Sequence, residues 1–289
     1  MLGPKKGALV ANKYRLERLV ARGGMGAVWE AWDSQLERPV AIKFMDLEIA
    51  NNPLLRQRFN REAKAAARLR TPYVVQVYEH GVDGDTPFIV MELLEGQDLH
   101  RRLRDERRIP IAQMVPIVQQ IARALRVAQE AGIIHRDLKP QNVFLSSQDD
   151  ELMVKILDFG VAKLTDSQLA GEGTKTGIVV GSPHYMSPEQ ARGLPSFDHR
   201  SDVWSLGVII FKAVTGHRPF KGQVAGDVIV KICAEPVPKA SKVKPGLPLE
   251  LDDFFSKALE RDPDKRYQTA TELAAGFAET VKRIAASPA

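Results

Sequence analysis

Cysteine is almost absent from this chain of 289 residues, in which Cys233 is the only one. A single thiol excludes an intrachain disulfide. Chains without disulfides are typical of reducing compartments, so the composition favours a cytoplasmic location.

Long apolar runs are absent as well. No stretch approaches the ~18 consecutive apolar residues that a membrane-spanning helix needs, so we expect no membrane segment within the chain. The basic start of the chain is not followed by a long apolar segment, which argues against a secretory signal. Residues 285–289 are small, like the start of a linker, and leave open that the chain is the cytoplasmic part of a longer, membrane-anchored protein.

An excess of acidic charge is also lacking, since 41 Lys and Arg stand against 36 Asp and Glu, a formal net charge of +5. The densest basic segment, residues 101–108, is rich in arginine and could hold an acidic partner or nucleic acid. Two acids and no aromatic residues are interleaved in it, which favours a solvated helix face. We therefore expect no nucleic-acid partner.

The pattern of the chain changes near Gly96. Before it, short β-rich runs predict strands over 14–20, 27–32, 40–46, 74–79 and 88–94, and residues 53–70 are predicted to be a helix. After it, helical spacing predicts helices over 111–131, 201–215, 224–234, 249–260 and 269–284. The prediction is an α+β fold with a small N-terminal antiparallel sheet plus one helix, followed by a larger, mainly helical part.

The most informative segment is residues 135–142, which read His-Arg-Asp-Leu-Lys-Pro-Gln-Asn. In this one loop Asp137 supplies a carboxylate, Lys139 an ammonium group and Asn142 a carboxamide. These are the groups that can handle a hydroxyl nucleophile, a transferring phosphoryl group and a magnesium ion.

Two features near the N-terminus could complete such a site. Gly23, Gly24 and Gly26 could let backbone N–H groups approach phosphate oxygens, or could simply connect a hairpin. Lys43, on the third predicted strand, could be a phosphate-binding cation or an ordinary surface lysine.

Two carboxylates, Glu62 and Asp158, likewise have both a functional and a purely structural interpretation. Glu62, mid-helix, could hold Lys43 in place or form a weak surface ion pair. Asp158, followed by Phe159 and Gly160, could bind a hard cation or begin a turn. All five features occur in the order that a phosphoryl-transfer site requires, which separate coincidences do not explain.

Over about residues 13–284 the chain resembles a protein kinase catalytic domain, and within that family the bacterial, eukaryotic-like serine/threonine kinases. Residues 23–26, 186–193 and 262–266 carry the resemblance to that subgroup. It implies a two-lobed organisation with a leader (1–12), an N-lobe (13–90), a hinge (91–96), a C-lobe (97–284) and a tail (285–289).

The resemblance implies that ATP binds between the lobes, with Lys43, fixed by Glu62, on its α- and β-phosphates. Met91 is expected to be the gatekeeper. Glu92 and Leu94 are expected to pair with the adenine through their backbone, and Asp98 to reach the ribose. The other expected nucleotide-binding residues are Val20, Ala21, Gly23, Gly24, Met25, Gly26, Val28, Ala41 and Phe144.

For the chemistry, the resemblance implies that Asp137 accepts or orients the substrate hydroxyl and that Lys139 neutralises the γ-phosphate. Asn142 and Asp158 are expected to bind Mg²⁺. Lys139 is the serine/threonine-type choice, so the implied activity is ATP-dependent phosphorylation of serine and threonine hydroxyls on protein substrates. The alternative is a pseudokinase scaffold that binds ATP without transfer.

Regulation and architecture are implied by the same resemblance. Thr174 and Thr176 are expected to be phosphorylated and to pair with Arg136, the alternative being a merely polar loop. Phosphorylation between chains requires at least a transient homodimer. Further expectations are a stack of His135 on Phe159, a contact of Asp202 with the catalytic-loop backbone, and a buried ion pair of Glu189 with Arg266.

Overall fold

The computed structural model describes residues 4–23, 26–46, 52–148, 151–159 and 183–286. The chain divides into two compact units, Met1–Gly96 and Gln97–Ala289. Within the described residues no helix combines the length and the apolarity needed to cross a membrane.

The first unit is built on one six-stranded sheet in the order β1-β2-β3-β4-β6-β5, in which neighbouring strands run antiparallel. Its strands are β1 (Leu9–Val10), β2 (Tyr14–Gly23), β3 (Gly26–Asp33), β4 (Arg38–Met45), β5 (Val77–Asp83) and β6 (Thr86–Met91), and its helix is α1 (Pro53–Arg68). The predicted antiparallel sheet with one helix is confirmed.

The sheet buries one row of apolar side chains because successive strand residues point to opposite faces. Along β4, Val40, Ile42 and Phe44 are buried and join Phe88 and Val90 of β6 in one cluster. The rings of Phe44 and Phe88 lie 6.5 Å apart. This packing fixes the register of β4, and with it the place of Lys43 between Val28 and Ile89.

Strand β1 lies in the segment that the sequence analysis assigns to a leader. Leu9 and Val10 pair with Arg15 and Tyr14, and the N–H of Gly7 donates to the carbonyl oxygen of Leu16 at 2.7 Å. Residues 7–10 therefore belong to the sheet, which has six strands where the sequence predicts five.

The second unit is mainly helical, as predicted, with one small sheet of β7 (Gly96–Asp98), β8 (Val143–Gln148) and β9 (Glu151–Ile156). Its helices are α2 (Leu99–Asp105), α3 (Ile111–Glu130), α4 (Pro188–Ala191), α5 (Arg200–Thr215), α6 (Ala225–Ala234), α7 (Ala240–Val243), α8 (Glu250–Ala258) and α9 (Ala270–Ala286), with short 3₁₀ turns at Pro140–Asn142, Pro183–Tyr185 and Pro263–Lys265.

Helix α5 is the core of this unit. Nearly all of its residues are buried, which is what an apolar surface all round a helix requires. Trp204 stacks on Phe220 at 6.1 Å, and Phe211 meets Phe255 edge-on at 4.9 Å. The helix ends at Gly216, whose φ of 80° suits glycine. Helix α5 therefore joins Asp202, near its start, to the packed centre of this unit.

Candidate active site

The loop of residues 135–142 is anchored to the start of α5 by Asp202. One carboxylate oxygen of Asp202 accepts the backbone N–H of His135 at 2.7 Å, and the other accepts that of Arg136 at 2.9 Å. Burial raises the pKa of Asp202, while the two backbone donors and the charge of Arg136 oppose that rise. The predicted contact between Asp202 and the loop backbone is present.

His135 joins the loop to the segment that follows β9 and carries Asp158. Its Nδ1 accepts the N–H of Asp137 at 3.3 Å, so Nε2 carries the proton and donates to the carbonyl oxygen of Leu157 at 3.1 Å. The ring lies 4.7 Å from that of Phe159, and both side chains are fully buried. His135 is therefore an architectural residue that sets the spacing between the two segments.

The side chains of Lys139 and Asn142 both contact Asp137. The ammonium group of Lys139 lies 2.7 Å from its carboxylate oxygen Oδ2, and the amide nitrogen of Asn142 donates to its backbone carbonyl at 2.9 Å. Both side chains of the Lys139–Asp137 pair are partly exposed. The arrangement presents a carboxylate and a cation side by side to an incoming substrate.

Asn142 and Asp158, the expected metal ligands, are tied together by their backbones. The N–H of Leu157 donates to the carbonyl oxygen of Asn142 at 2.9 Å, and Asp158 follows with a left-handed φ of 42°. The amide nitrogen of Asn142 is used on Asp137, which leaves its amide oxygen as the atom able to bind a cation.

This donor set fits magnesium better than a metal held by protein alone. Among the described residues no three His, Cys, Asp or Glu side chains cluster as a metal site. Magnesium commonly takes one or two protein oxygens together with water and substrate phosphates. One carboxylate and one amide oxygen, as here, would serve that mode and would need phosphate oxygens to complete it.

A short segment after the loop is also bound to it. The side-chain amide of Gln190 donates to the carbonyl oxygen of Arg136 at 3.0 Å. Ser187 and Gln190 form a capping box that starts α4. Sequence reasoning missed this role of Gln190, although the Ser-x-x-Gln spacing is a recognisable helix-start signal.

The Arg136 side chain is half-buried, and two of its buried nitrogen atoms lack hydrogen bonds to described residues. Its Nε and Nη1 have no hydrogen-bond partner among the residues that the structure describes, and its guanidinium carbon lies 5.5 Å from the ring centre of Phe197. Burial lowers its pKa, and the carboxylate of Asp202 partly compensates. Such a group is stabilised by an added anion. Thr174 and Thr176, its predicted partners, lie outside the described residues.

In the first unit, the glycine turn joins β2 to β3, and Gly23 pairs with Gly26. A Cβ built on Gly26 would lie 1.8 Å from the carbonyl oxygen of Phe44, and the φ of 145° also requires glycine. A Cβ on Gly23 would meet nothing within 4 Å. Gly26 is thus needed for the sheet itself, whereas Gly23 stands open. Gly24 and Met25 lie outside the described residues.

Lys43 is half-buried on β4, where its neighbours across the sheet are Val28 and Ile89. Glu62 lies on α1, but its side chain is outside the described part of the chain. The expected Lys43–Glu62 ion pair therefore stays a prediction.

The remaining expected nucleotide-binding residues lie on β2, β3, β4, β6 and the segment after it. Met91 pairs with Ala41, and Ala21 pairs with Val28. The backbone N–H of Glu92 donates to the carbonyl oxygen of Gln76, which leaves the carbonyl oxygen of Glu92 for the expected adenine contact. Val20 is exposed, Ala41 is buried, and Leu94 is half-buried.

Asp98 and Phe144 belong to the second unit. Asp98 caps α2, with Oδ1 accepting the N–H of Arg101 at 2.8 Å, which leaves Oδ2 for the expected ribose contact. Phe144 lies on β8 between the buried residues Val143 and Leu145 and is itself half-buried. It thus points away from their core face and offers an apolar ring to a ligand.

Comparison with known proteins identifies close similarity along nearly the whole chain. A protein kinase domain model matches residues 14–277. A probable serine/threonine-protein kinase of Clostridium perfringens is 39% identical over 277 residues, which are 96% of this chain but 39% of that protein. The serine/threonine-protein kinase PknL of Mycobacterium tuberculosis is 36% identical, over 98% of this chain and 69% of that protein.

Two further comparisons agree. The serine/threonine-protein kinase PknA of M. tuberculosis is 38% identical, over 94% of this chain and 62% of that protein. The chain thus spans about two fifths to two thirds of the length of these curated relatives. The crystal structure of the M. tuberculosis PknI kinase domain is 26% identical, superposes with a TM-score of 0.76, and covers 96% of this chain and 100% of its own.

Proposed function

Because this chain belongs to the protein kinase domain family, we propose that it transfers the γ-phosphoryl group of ATP to serine and threonine hydroxyls of proteins. The observation that carries this proposal is the 2.7 Å contact between Lys139 and Asp137 in a loop that Asp202 holds by two backbone bonds. Phosphoryl transfer is mainly a matter of positioning and charge stabilisation, and this loop provides both.

The residues of the second unit have distinct roles in phosphoryl transfer. Asp137 accepts or orients the proton of the attacking hydroxyl, and Lys139 balances the negative charge on the transferring group. Asn142 and Asp158 contribute oxygen ligands to Mg²⁺, which would neutralise phosphate charge. His135 and Asp202 keep these groups in place without touching the substrate.

The residues of the first unit bind the nucleotide. Lys43, steadied by Glu62, pairs with the α- and β-phosphates, and the backbone around Gly23 approaches the phosphate oxygens. Val20, Val28 and Ala41 supply apolar contacts to the adenine. ATP and Mg²⁺ are the cofactors that this set of groups fits.

Regulation follows from the unsatisfied guanidinium of Arg136. Phosphate on Thr174 or Thr176 would supply the anion that this group lacks among the described residues. Transfer between two chains would need only a transient homodimer. We place the reaction in the cytoplasm, where ATP and protein substrates are available, and assign no nucleic-acid partner.

The decisive experiment incubates the purified chain with Mg²⁺ and labelled ATP and maps the phosphorylated residues by mass spectrometry. We expect label on serine and threonine, including Thr174 or Thr176. The Asp137→Asn variant should transfer at least ~10²-fold more slowly, whereas Asp253→Asn, a change of the same kind at an exposed position of α8, should keep the wild-type rate. ATP binding without transfer by the wild-type chain would instead identify a pseudokinase.

A further inference from the structure

A group of cations collects at the C-terminal end of α5, in the segment that follows it and directly after α7. We call Lys212, Arg218, Lys221 and Lys244 the basic cluster; His217 lies among them. The side chain of Lys221 approaches Nδ1 of His217 at 3.4 Å. The pKa of His217 is lowered by the charge of Lys221 and further by burial and by Lys212 and Lys244. The side chain of Lys212 reaches the carbonyl oxygen of Gly216, the residue before His217, so Lys212 and Lys221 lie in one region.

The basic cluster has no acidic partner in the described structure. None of its four cations has a carboxylate oxygen within 4.0 Å among the residues described. Elsewhere in this unit cations that are partly or fully exposed form ion pairs, as in Arg102–Glu106, Arg126–Glu130 and Lys231–Glu235. Concentrated charge of one sign without counter-charge attracts an anionic ligand.

Two members of the basic cluster, Lys212 and Arg218, make hydrogen bonds within the protein. Lys212 donates to the carbonyl oxygen of Gly216 at 2.5 Å and suits the negative end of the α5 dipole. Arg218 contacts Nε2 of His184 at 3.1 Å. These bonds do not explain the charges of Lys221 and Lys244. Burial, together with the charges of Arg218 and Lys221, lowers the pKa of Lys212, a cost that a bound anion would relieve.

Helix α5 joins one member of the basic cluster to the catalytic loop. Asp202, which holds the loop, and Lys212 lie on the same helix, ten residues apart, a rise of about 15 Å. An extended peptide covers about 3.3 Å per residue. A substrate peptide with its hydroxyl at Asp137 would cover a length equal to that rise in about five residues.

We propose that the basic cluster binds acidic residues of the protein substrate within about five positions of the phosphorylated hydroxyl. This inference rests on the proposed kinase function and adds a substrate class to it. The contact of Arg218 with His184, next to α4 and its bond to the catalytic loop, favours a substrate peptide over other polyanions. Phe220 and Tyr185, the aromatic residues beside the basic cluster, are buried and cannot stack on the bases of a nucleic acid.

The test uses peptides with one serine or threonine and otherwise neutral residues, carrying Glu or Gln singly at each of the five positions on either side. For the wild-type chain we expect kcat/KM about tenfold higher with Glu than with Gln at one or more of these positions, and a smaller ratio at high salt because exposed charges are screened. Loss of the preference is expected in a Lys221→Glu, Lys244→Glu double variant, with the Gln peptides turned over at the wild-type rate.

Lys282→Glu is the matched control, because Lys282 is exposed on α9, outside the basic cluster; this variant should keep the full preference. A wild-type chain without any Glu preference, or a preference that the double variant retains, would overturn the proposal. Binding of phosphatidylserine vesicles that the double variant loses, with peptide kinetics unchanged, would assign the cations to a membrane surface instead.

Binding is measured separately by fluorescence anisotropy of the best labelled Glu peptide. Peptide binding that depends on Lys221 and Lys244 in a chain that transfers no phosphate would refute the kinase proposal alone. Phosphate transfer without acidic preference would refute the substrate proposal alone.

Discussion

Glu189 and Arg266 lie 77 residues apart in the chain and form a two-pronged ion pair, with Nη1–Oε1 at 3.1 Å and Nη2–Oε2 at 3.3 Å. Both are buried, at 6% and 2% exposure. The remaining donors of Arg266 reach the carbonyl oxygens of Glu260 and Arg200, and Ser201 donates to Glu189. Although burial alone would raise it, the pKa of Glu189 is lowered by Arg266.

The first prediction follows from this pair. Arg266→Met should reduce the free energy of unfolding by about 3–5 kcal/mol, because it leaves the Glu189 carboxylate buried without its partner. Urea unfolding followed by circular dichroism measures the change. Arg126→Met removes an exposed ion pair with Glu130 and should cost less than ~1 kcal/mol. Equal losses in the two variants would contradict a special role for the buried pair.

The second prediction separates two glycines of one turn. Gly26→Ala should destabilise the first unit by at least ~2 kcal/mol, because its Cβ would collide with the carbonyl oxygen of Phe44. Gly23→Ala has open space and should leave stability within ~1 kcal/mol. If the backbone at Gly23 approaches phosphate, the KM of the Gly23→Ala variant for ATP should rise about tenfold, which corresponds to ~1.4 kcal/mol.

Thermal unfolding and ATP kinetics of both variants provide the measurements. Ala21→Gly is the control, since Ala21 is exposed at the same turn, and we expect only a modest change in its KM for ATP. A Gly26→Ala variant as stable as the wild-type chain would show that β3 and β4 can separate without cost.

The sheet and the long helices could be predicted because their apolar periodicity reports which face is buried. The strands that were not predicted correctly differ for local reasons. Strand β1 is two residues long, too short for any pattern. The strand predicted over 74–79 is shifted along the chain, because β5 runs from Val77 to Asp83. The ring of Phe88 covers Gly81 within this strand, where a Cβ would lie 2.9 Å from the ring.

In the site, too, contacts between residues close in sequence could be predicted, whereas contacts between residues far apart in sequence could not. Asp137, Lys139 and Asn142 fall within one loop, so their spacing alone indicates that they act together. The contact of Arg218 with His184 joins residues 34 positions apart, and no spacing rule predicts it. That no carboxylate among the described residues pairs with Lys212 or Lys221 likewise depends on packing, because the chain as a whole holds 36 acidic residues.

The third prediction concerns Arg136. Phosphorylation of the chain should raise its peptide-kinase activity at least ~10-fold when the phosphate pairs with Arg136, through charge-assisted hydrogen bonds that order the neighbouring segment. In Arg136→Ala the phosphorylated and dephosphorylated forms should have equal activity. Rates before and after phosphatase treatment measure the effect, with the Thr174→Ala, Thr176→Ala double variant as a second control. Full activation of Arg136→Ala by phosphate would refute the pairing.

The fourth prediction concerns pH and His184. Burial and the nearby charge of Arg218 lower its pKa to about 4, from an ordinary value of 6.5. Above about pH 6.5 the ring is neutral in both states and contributes no pH dependence. Between about pH 6.5 and 4 the unfolded chain binds a proton that the folded chain does not, so the free energy of unfolding falls as the pH falls.

His184→Gln keeps an acceptor for Arg218 but does not titrate, so its stability should lose less on acidification than that of the wild-type chain. We expect the difference in free energy of unfolding between the wild-type chain and His184→Gln to change by about 1–2 kcal/mol from pH 7 to pH 4.5. This is less than the full pKa shift of His184 would give, because its side chain is half-exposed and screened by solvent. Urea unfolding at the two pH values gives this difference and cancels the titration of groups common to both. His100→Gln, at an exposed position of α2, should follow the wild-type pH profile; if His184→Gln also follows it, His184 is not held neutral by its surroundings.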